Sequence, residues 1–162
     1  MEPSQPPDYL VGKVTEPDWS GPSAELKDGS WCGHGEPKFR IFDVGVGGIT
    51  TNQVLLPSTD ADTGVNLPVV RVIPCSGEPS FLVYDSRKHP SSMFAMGGYE
   101  NQEPLFDDPL ECQNCNSDRF RLSVGFEVPV DSQDDNDTTW FALAGTCATC
   151  GASGLIYEDE TC

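Results

Sequence analysis

The sequence predicts a mainly β protein with little helix: a small antiparallel β unit followed by a long C-terminal β-hairpin. Three observations carry that expectation. Every second residue from Phe120 to Val130 is apolar, in the order Phe120, Leu122, Val124, Phe126, Val128 and Val130, which is the period of a strand with one apolar face. Upstream, short runs rich in β-branched and aromatic residues are each bounded by Pro, Gly, Asn, Asp or Ser, as strands between turns are. Nowhere does an uninterrupted stretch of helical length place apolar side chains at helical spacing.

Taken in order, residues 1–35 hold Pro3, Pro6, Pro7, Pro17 and Pro22 among Ser, Asp, Glu and Gly. Proline removes a backbone donor and fixes φ, so this segment reads as a Pro-rich arm or leader rather than a helix. As an arm it would wrap onto the body through Tyr9, Leu10 and Trp19. Residues 36–109 read as an all-β unit. Its strands are expected at Phe39 to Val46, Val54 to Leu56, Val69 to Ile73 and Phe81 to Tyr84. The glycines Gly45, Gly47 and Gly48 lack the third glycine of a dinucleotide loop and no helix follows them, so they predict a turn or bulge.

Residues 110–162 hold the hairpin. Its outgoing strand should bury the Phe120 to Val130 series and leave Arg119, Arg121, Ser123, Gly125, Glu127 and Pro129 on a wet face. An acidic tip, Asp131 to Asp137, leads to a return strand over Thr138 to Thr146, and Leu155 to Tyr157 can add a third strand.

The totals narrow the function. With 26 acidic against 9 basic residues the chain carries a formal net charge of -17. Nucleic acids are bound mainly through Lys and Arg that displace counterions from phosphates, so direct nucleic-acid or anionic-membrane binding is disfavoured. A basic protein partner, a nucleic-acid-mimicking surface or simple solubility, the commonest reason for such acidity, would each fit. The opening MEPSQPPDYL has neither a basic n-region nor an apolar h-region, and no apolar run reaches the length of a membrane span. The expected compartment is a reducing cytoplasm, where an odd set of 7 cysteines serves as thiols and metal ligands rather than disulfides.

Four of those cysteines form two Cys-x-x-Cys pairs, Cys112/Cys115 and Cys147/Cys150. Zinc takes four soft or borderline ligands in a tetrahedron, and two such turns supply them if the hairpin brings its two ends together. The segment 116–146 between the pairs exceeds the roughly 15–20 residues usual for such sites, and a long hairpin accounts for the excess. Each pair is followed by a residue type tolerant of positive φ, Asn116 and Gly151. A redox dithiol is the competing reading of either pair alone, but no βαβ pattern surrounds them.

With ECQNC as the first knuckle and TCATCG as the second, this segment resembles the zinc ribbon group of folds, over about a third of the chain. The resemblance implies ligand roles for Cys112, Cys115, Cys147 and Cys150, and one Zn²⁺ per chain. Four protein ligands leave no open coordination position, so that zinc would be structural. Arg119 and Arg121 could offset the negative charge of four thiolates, or simply line a solvated face.

Other constellations are weaker. Cys32, His34, Cys75 and His89 are suitable ligand types for a second site, but no paired spacing links them. Cys75 follows a strand and His89 could serve as its base, which is the thiol-enzyme alternative. Asp60, Asp62 and Gly64, like the run Asp131 to Asp137, lack the pattern of an EF-hand loop and read as turn and hairpin tip. The leading expectation is a non-enzymatic, acidic zinc-binding protein that acts by protein–protein interaction, of the kind an immunity protein makes in neutralising a basic partner, with the acidic tip as a natural contact. The alternatives are the Cys75/His89 enzyme and a nucleic-acid-binding ribbon.

Overall fold

The computed structural model describes residues 6–26, 38–45, 50–58, 67–90, 92, 95, 98–128, 138 and 140–160. The protein is mainly β. Eight strands form one curled antiparallel sheet: β1 (Val14–Thr15), β2 (Lys38–Val44), β3 (Thr51–Leu55), β4 (Val69–Pro74), β5 (Phe81–Asp85), β6 (Phe120–Val128), β7 (Trp140–Cys147) and β8 (Ser153–Glu160). Among the described residues the only α-helix is α1 (Pro22–Leu26), and no helix is long and apolar enough to cross a membrane.

β6 is the strand the others are arranged on. Along one side it pairs with β7, from Phe120↔Cys147 to Glu127↔Trp140. Along the other it pairs first with β2, from Lys38↔Val128 to Asp43↔Ser123, and then with the start of β3 at Thr51↔Arg121 and Asn52↔Phe120. β2 and β3 therefore lie end to end beside β6. β3 then leaves it to pair with β4, and β4 with β5. The sheet is continuous across residue 110, since β6 joins two strands that precede it.

The departure of β3 curls the sheet so that β3, β4 and β5 face β6 and β7 across the main core. Val54, Val70, Val72, Val83 and Tyr84 meet Leu122, Val124, Phe126, Phe141 and Leu143 there, all buried. The Tyr84 and Phe141 rings stack at 4.1 Å with planes 10° apart. Such pairs contribute about 0.5–1.5 kcal/mol beyond the burial of their area.

The period of two in β6 correctly identifies the apolar face, but the opposite face is not wet. Ser123, Gly125 and Glu127 are buried as well. A second, smaller core covers them, built from Leu26 of α1 with Trp140, Ala142 and Ala144 of β7 and Ile41 of β2. Gly125 lies against this core: a Cβ there would stand at ordinary van der Waals distance, 3.5 Å from Leu26 Cδ1 and 3.7 Å from both Ile41 Cγ1 and Trp140 Cζ3. Of the alternates named above, Arg121 is half-buried and Arg119 is exposed. Pro129 and the tip Asp131 to Asp137 lie outside the described residues, as do Cys32, His34, Gly47, Gly48, Asp60, Asp62 and Gly64.

The N-terminal segment is an arm held against the sheet, and it does contain a helix. α1 starts at Pro22, a position where the missing N–H is one of the donors a helix leaves unpaired anyway. Leu10 is fully buried in the main core and Tyr9 packs against it, whereas Trp19 is 50% exposed. Polar contacts add to this hold. Asp43 accepts the Ser123 hydroxyl at 2.7 Å and the Asp18 N–H at 3.0 Å, and Asp18 accepts the Ser20 N–H at 2.9 Å.

The two ends of the curl are also tied, because the Tyr84 hydroxyl of β5 donates to Asp159 of β8 at 2.5 Å. Burial raises the Asp159 carboxyl above its ordinary range, and the Tyr84 bond offsets part of that rise. A carboxyl whose pKa is higher in the folded than in the unfolded chain binds protons more tightly in the native state. Stability then falls as the pH rises from the unfolded value, about 3.9, through the folded one, and stays at the lower level above it. Asp159→Asn keeps an acceptor for Tyr84 and removes this titration. The melting temperature of the variant minus that of the wild type should therefore be greatest at neutral pH and shrink on acidification. A difference that does not vary with pH would show that Asp159 titrates alike folded and unfolded.

Candidate metal centre

The two knuckles are built alike. In the first, Cys112 N–H donates to Ser117 O at 2.7 Å and Asn116 N–H to Cys112 O at 2.8 Å. In the second, Cys147 N–H donates to Ala152 O at 2.8 Å and Gly151 N–H to Cys147 O at 2.9 Å. Both turns pass through the left-handed region at the residue after the second cysteine, Asn116 at φ 63° and Gly151 at φ 82°. Asparagine and glycine are the types that occupy that region at least strain, as the sequence predicts.

The sheet brings the knuckles together. β7 ends at Cys147, which pairs with Phe120, the first residue of β6. The chain before the first knuckle is held on β3, where Leu110 N–H donates to Val54 O at 2.9 Å and Asp107 N–H to Leu56 O at 3.0 Å. The chain after it is held where Gln53 Nε2 donates to Asp118 at 2.6 Å. Across the knuckles, Ala148 N–H donates to Arg119 O at 2.9 Å and the Thr149 hydroxyl to Ser117 Oγ at 3.0 Å.

As a result the four sulfurs of Cys112, Cys115, Cys147 and Cys150 all lie within 4.8 Å of one another. Two separations cross between the knuckles, at 3.6 Å for Cys112–Cys150 and 3.5 Å for Cys115–Cys147. A tetrahedral zinc with bonds near 2.3 Å sets its ligand sulfurs about 3.8 Å apart, so the donor set fits that ion in kind and in size. Cys112 and Cys147 are buried, Cys115 and Cys150 exposed, which puts the cluster at the rim of the core.

The protons of the cluster are unevenly held. The N–H groups of Cys150 and Thr149, with help from the thiols of Cys115 and Cys150, lower Cys147 to about 6. Cys115 is drawn down by the Ser117 N–H, yet the thiols of Cys147, Cys150 and Cys112 push it up to about 12. One thiolate in so small a volume disfavours the next. A divalent cation removes that repulsion, and the same N–H groups stabilise the sulfur charge it leaves.

Among the described residues, the other candidates do not join this centre or form another. Arg121 makes a loose ion pair with Asp18 at 3.8 Å, and Arg119 is exposed. Cys75 and His89 lie toward opposite ends of β4. Cys75 follows Pro74, with its N–H on Thr51 O, while His89 follows the turn beyond Asp85, which pairs with Val69. The intervening strand is about 16 Å long at the usual rise per residue, so no nucleophile–base pair exists there. His89 is a core residue: it is buried, shares a 2.7 Å hydrogen bond with Tyr9 Oη, and stacks on Tyr84 at 5.4 Å.

Leu110, Phe120 and Ala152 pack beside the buried sulfurs in the main core, and their part in seating the centre was not evident from the motif. Their position next to the cysteines in the chain was the available signal. No family model matches the chain, and neither a curated protein nor a solved structure matches it.

Proposed function

We propose that this chain is a non-enzymatic, acidic zinc-binding protein that works by binding a basic protein partner. The observation that carries the reading is the closed set of four sulfurs. With Cys112, Cys115, Cys147 and Cys150 as ligands, no coordination position remains for a substrate or an activated water, so the ion is a structural clamp. The separation of Cys75 from His89 removes the one thiol–base pair suggested by residue type. What remains to act is a surface, and at a net charge of -17 it attracts cationic partners and repels nucleic acids. Neutralisation of a basic toxin, as an immunity protein does, is one concrete form of this activity.

Metal analysis of the purified protein is expected to find one zinc per chain. A ratio near zero in a folded protein would overturn the clamp, and a ratio of two would add a second site with Cys32 and His34 as its first candidates. Because thiols must lose their protons to bind, zinc should be released as the pH falls. For the partner, affinity capture from the protein's own cells at low salt should retain a basic protein that elutes as salt rises. No salt-sensitive association with any basic protein would overturn that part.

A further inference from the structure

The proposed function implies a contact surface, and the sheet offers one with a definite geometry. β8 pairs with β7 from Thr146↔Ser153 to Trp140↔Glu160, with one register shift between Ala144↔Leu155 and Leu143↔Tyr157. Among the described residues nothing pairs with its other side. At 8 residues it is longer than the other strands with one partner, β5 with 5 and β1 with 2. An unpaired strand edge presents a row of backbone donors and acceptors ready to accept another strand. Lysine, proline and short length are among the devices that blunt such edges, and β8 has none of those three. It does carry a register shift between its Leu155 and Tyr157 pairs and acidic residues in its second half, which disfavour any added strand but a cationic one.

The side chains along this edge differ from one half to the other. Beside the first half lies a groove of about 280 Å³ between Leu110–Gln113 and Ala152–Ile156, floored by Phe120 and Gly145. A Cβ on Gly154 would meet nothing within 4 Å, so another backbone can approach there, and Leu155 next to it is 50% exposed. The second half reads Glu158, Asp159, Glu160. Asp159 is engaged by Tyr84, and Glu158 is exposed.

We infer that the outer edge of β8 is a strand-addition site for an extended, basic segment of a partner protein, with an apolar residue of that segment against the groove and lysine or arginine beside Glu158. This rests on the basic-partner reading above and locates it. Main-chain hydrogen bonds would hold the segment, while the groove and the acidic half select its side chains. Charge decides the occupant: a second copy of the chain brings another -17 to the same edge, whereas a cationic segment relieves the existing repulsion.

The test uses the zinc-loaded full chain and two synthetic peptides of alternating lysine and valine, matched in length to β8. One is unmodified. The other is N-methylated on alternate backbone nitrogens, which keeps the charge and removes the donors of one edge. The unmodified peptide should bind with an affinity that falls with salt and should slow amide exchange across residues 153–160. The methylated peptide should bind at least about tenfold more weakly, having lost several main-chain hydrogen bonds. Glu158→Lys should weaken the unmodified peptide by a similar factor while the melting temperature of the free protein is unchanged.

Equal binding of the two peptides would overturn strand addition and leave the attraction to basic partners standing. Failure of both peptides to bind at low salt would overturn the site, while capture of a basic protein from cells would still support the broader reading. Protection of β8 that grows with protein concentration alone would assign the edge to a second copy and overturn the inference.

Discussion

Replacing Cys112 or Cys147 by serine is expected to abolish zinc binding and to unfold the C-terminal hairpin with it. Structural zinc contributes on the order of 10 kcal/mol to small folds that depend on it, while whole domains are stable by only about 5–15 kcal/mol. Here the cluster closes the end of the β6–β7 pair at Phe120↔Cys147, and β6 carries partners on both sides. Loss of the clamp therefore propagates into the main core instead of fraying one tip. Metal content and thermal unfolding followed by circular dichroism would measure both effects, and a strong chelator should reproduce them on the wild type. Cys115→Ser and Cys150→Ser separate the ion from packing, because those side chains are exposed and their replacement leaves no hole in the core. All four variants should lose the metal and melt alike. If the two exposed variants kept the wild-type melting temperature without zinc, the cluster would not be a clamp.

What was legible in the sequence was what is local. The alternation from Phe120 onward reports the strand because neighbouring side chains on one strand already define its face. The knuckles were legible for the same reason, since Cys112 to Asn116 and Cys147 to Gly151 each close their own turn. Contacts between distant parts of the chain were not. Ser123 and Asp43 meet across 80 positions, so the burial of Ser123 and Glu127 beneath α1 had no counterpart in the local pattern. α1 itself is 5 residues long, too short to show a helical period, and Pro22, a residue that breaks helices from within, is its first residue. Cys75 and His89 show the same limit from the other side: the residue types suited a nucleophile and its base, but only the strand between them gives their separation.

Phe141→Ala should cost about 3–5 kcal/mol, the range for truncating a buried aromatic residue. Phe141 is fully buried and stands where the two layers of the curl meet. It stacks on Tyr84 of β5 at 4.1 Å and lies 5.3 Å from Phe126 and 6.3 Å from Tyr157. Truncation thus opens a cavity against three strands at once, and among the described residues β4 and β5 reach the rest of the sheet by backbone pairing only through β3. For a chain of this size each kcal/mol lowers the melting temperature by roughly 2–4 °C, so a drop of about 6–20 °C is expected. The zinc should be retained, because the cluster is held by its own turns at the far end of β7. Phe141→Leu keeps most of the volume and should lose much less. The interaction with Tyr84 can be isolated by a double-mutant cycle with Tyr84→Leu, in which the two losses should fall short of additivity by about 0.5–1.5 kcal/mol. Strict additivity would mean that the two layers are joined by buried area alone, without any specific contribution from the stacked rings. A Phe141→Ala protein that melts within a degree or two of the wild type would place the ring outside the core and refute the curl of the sheet around it.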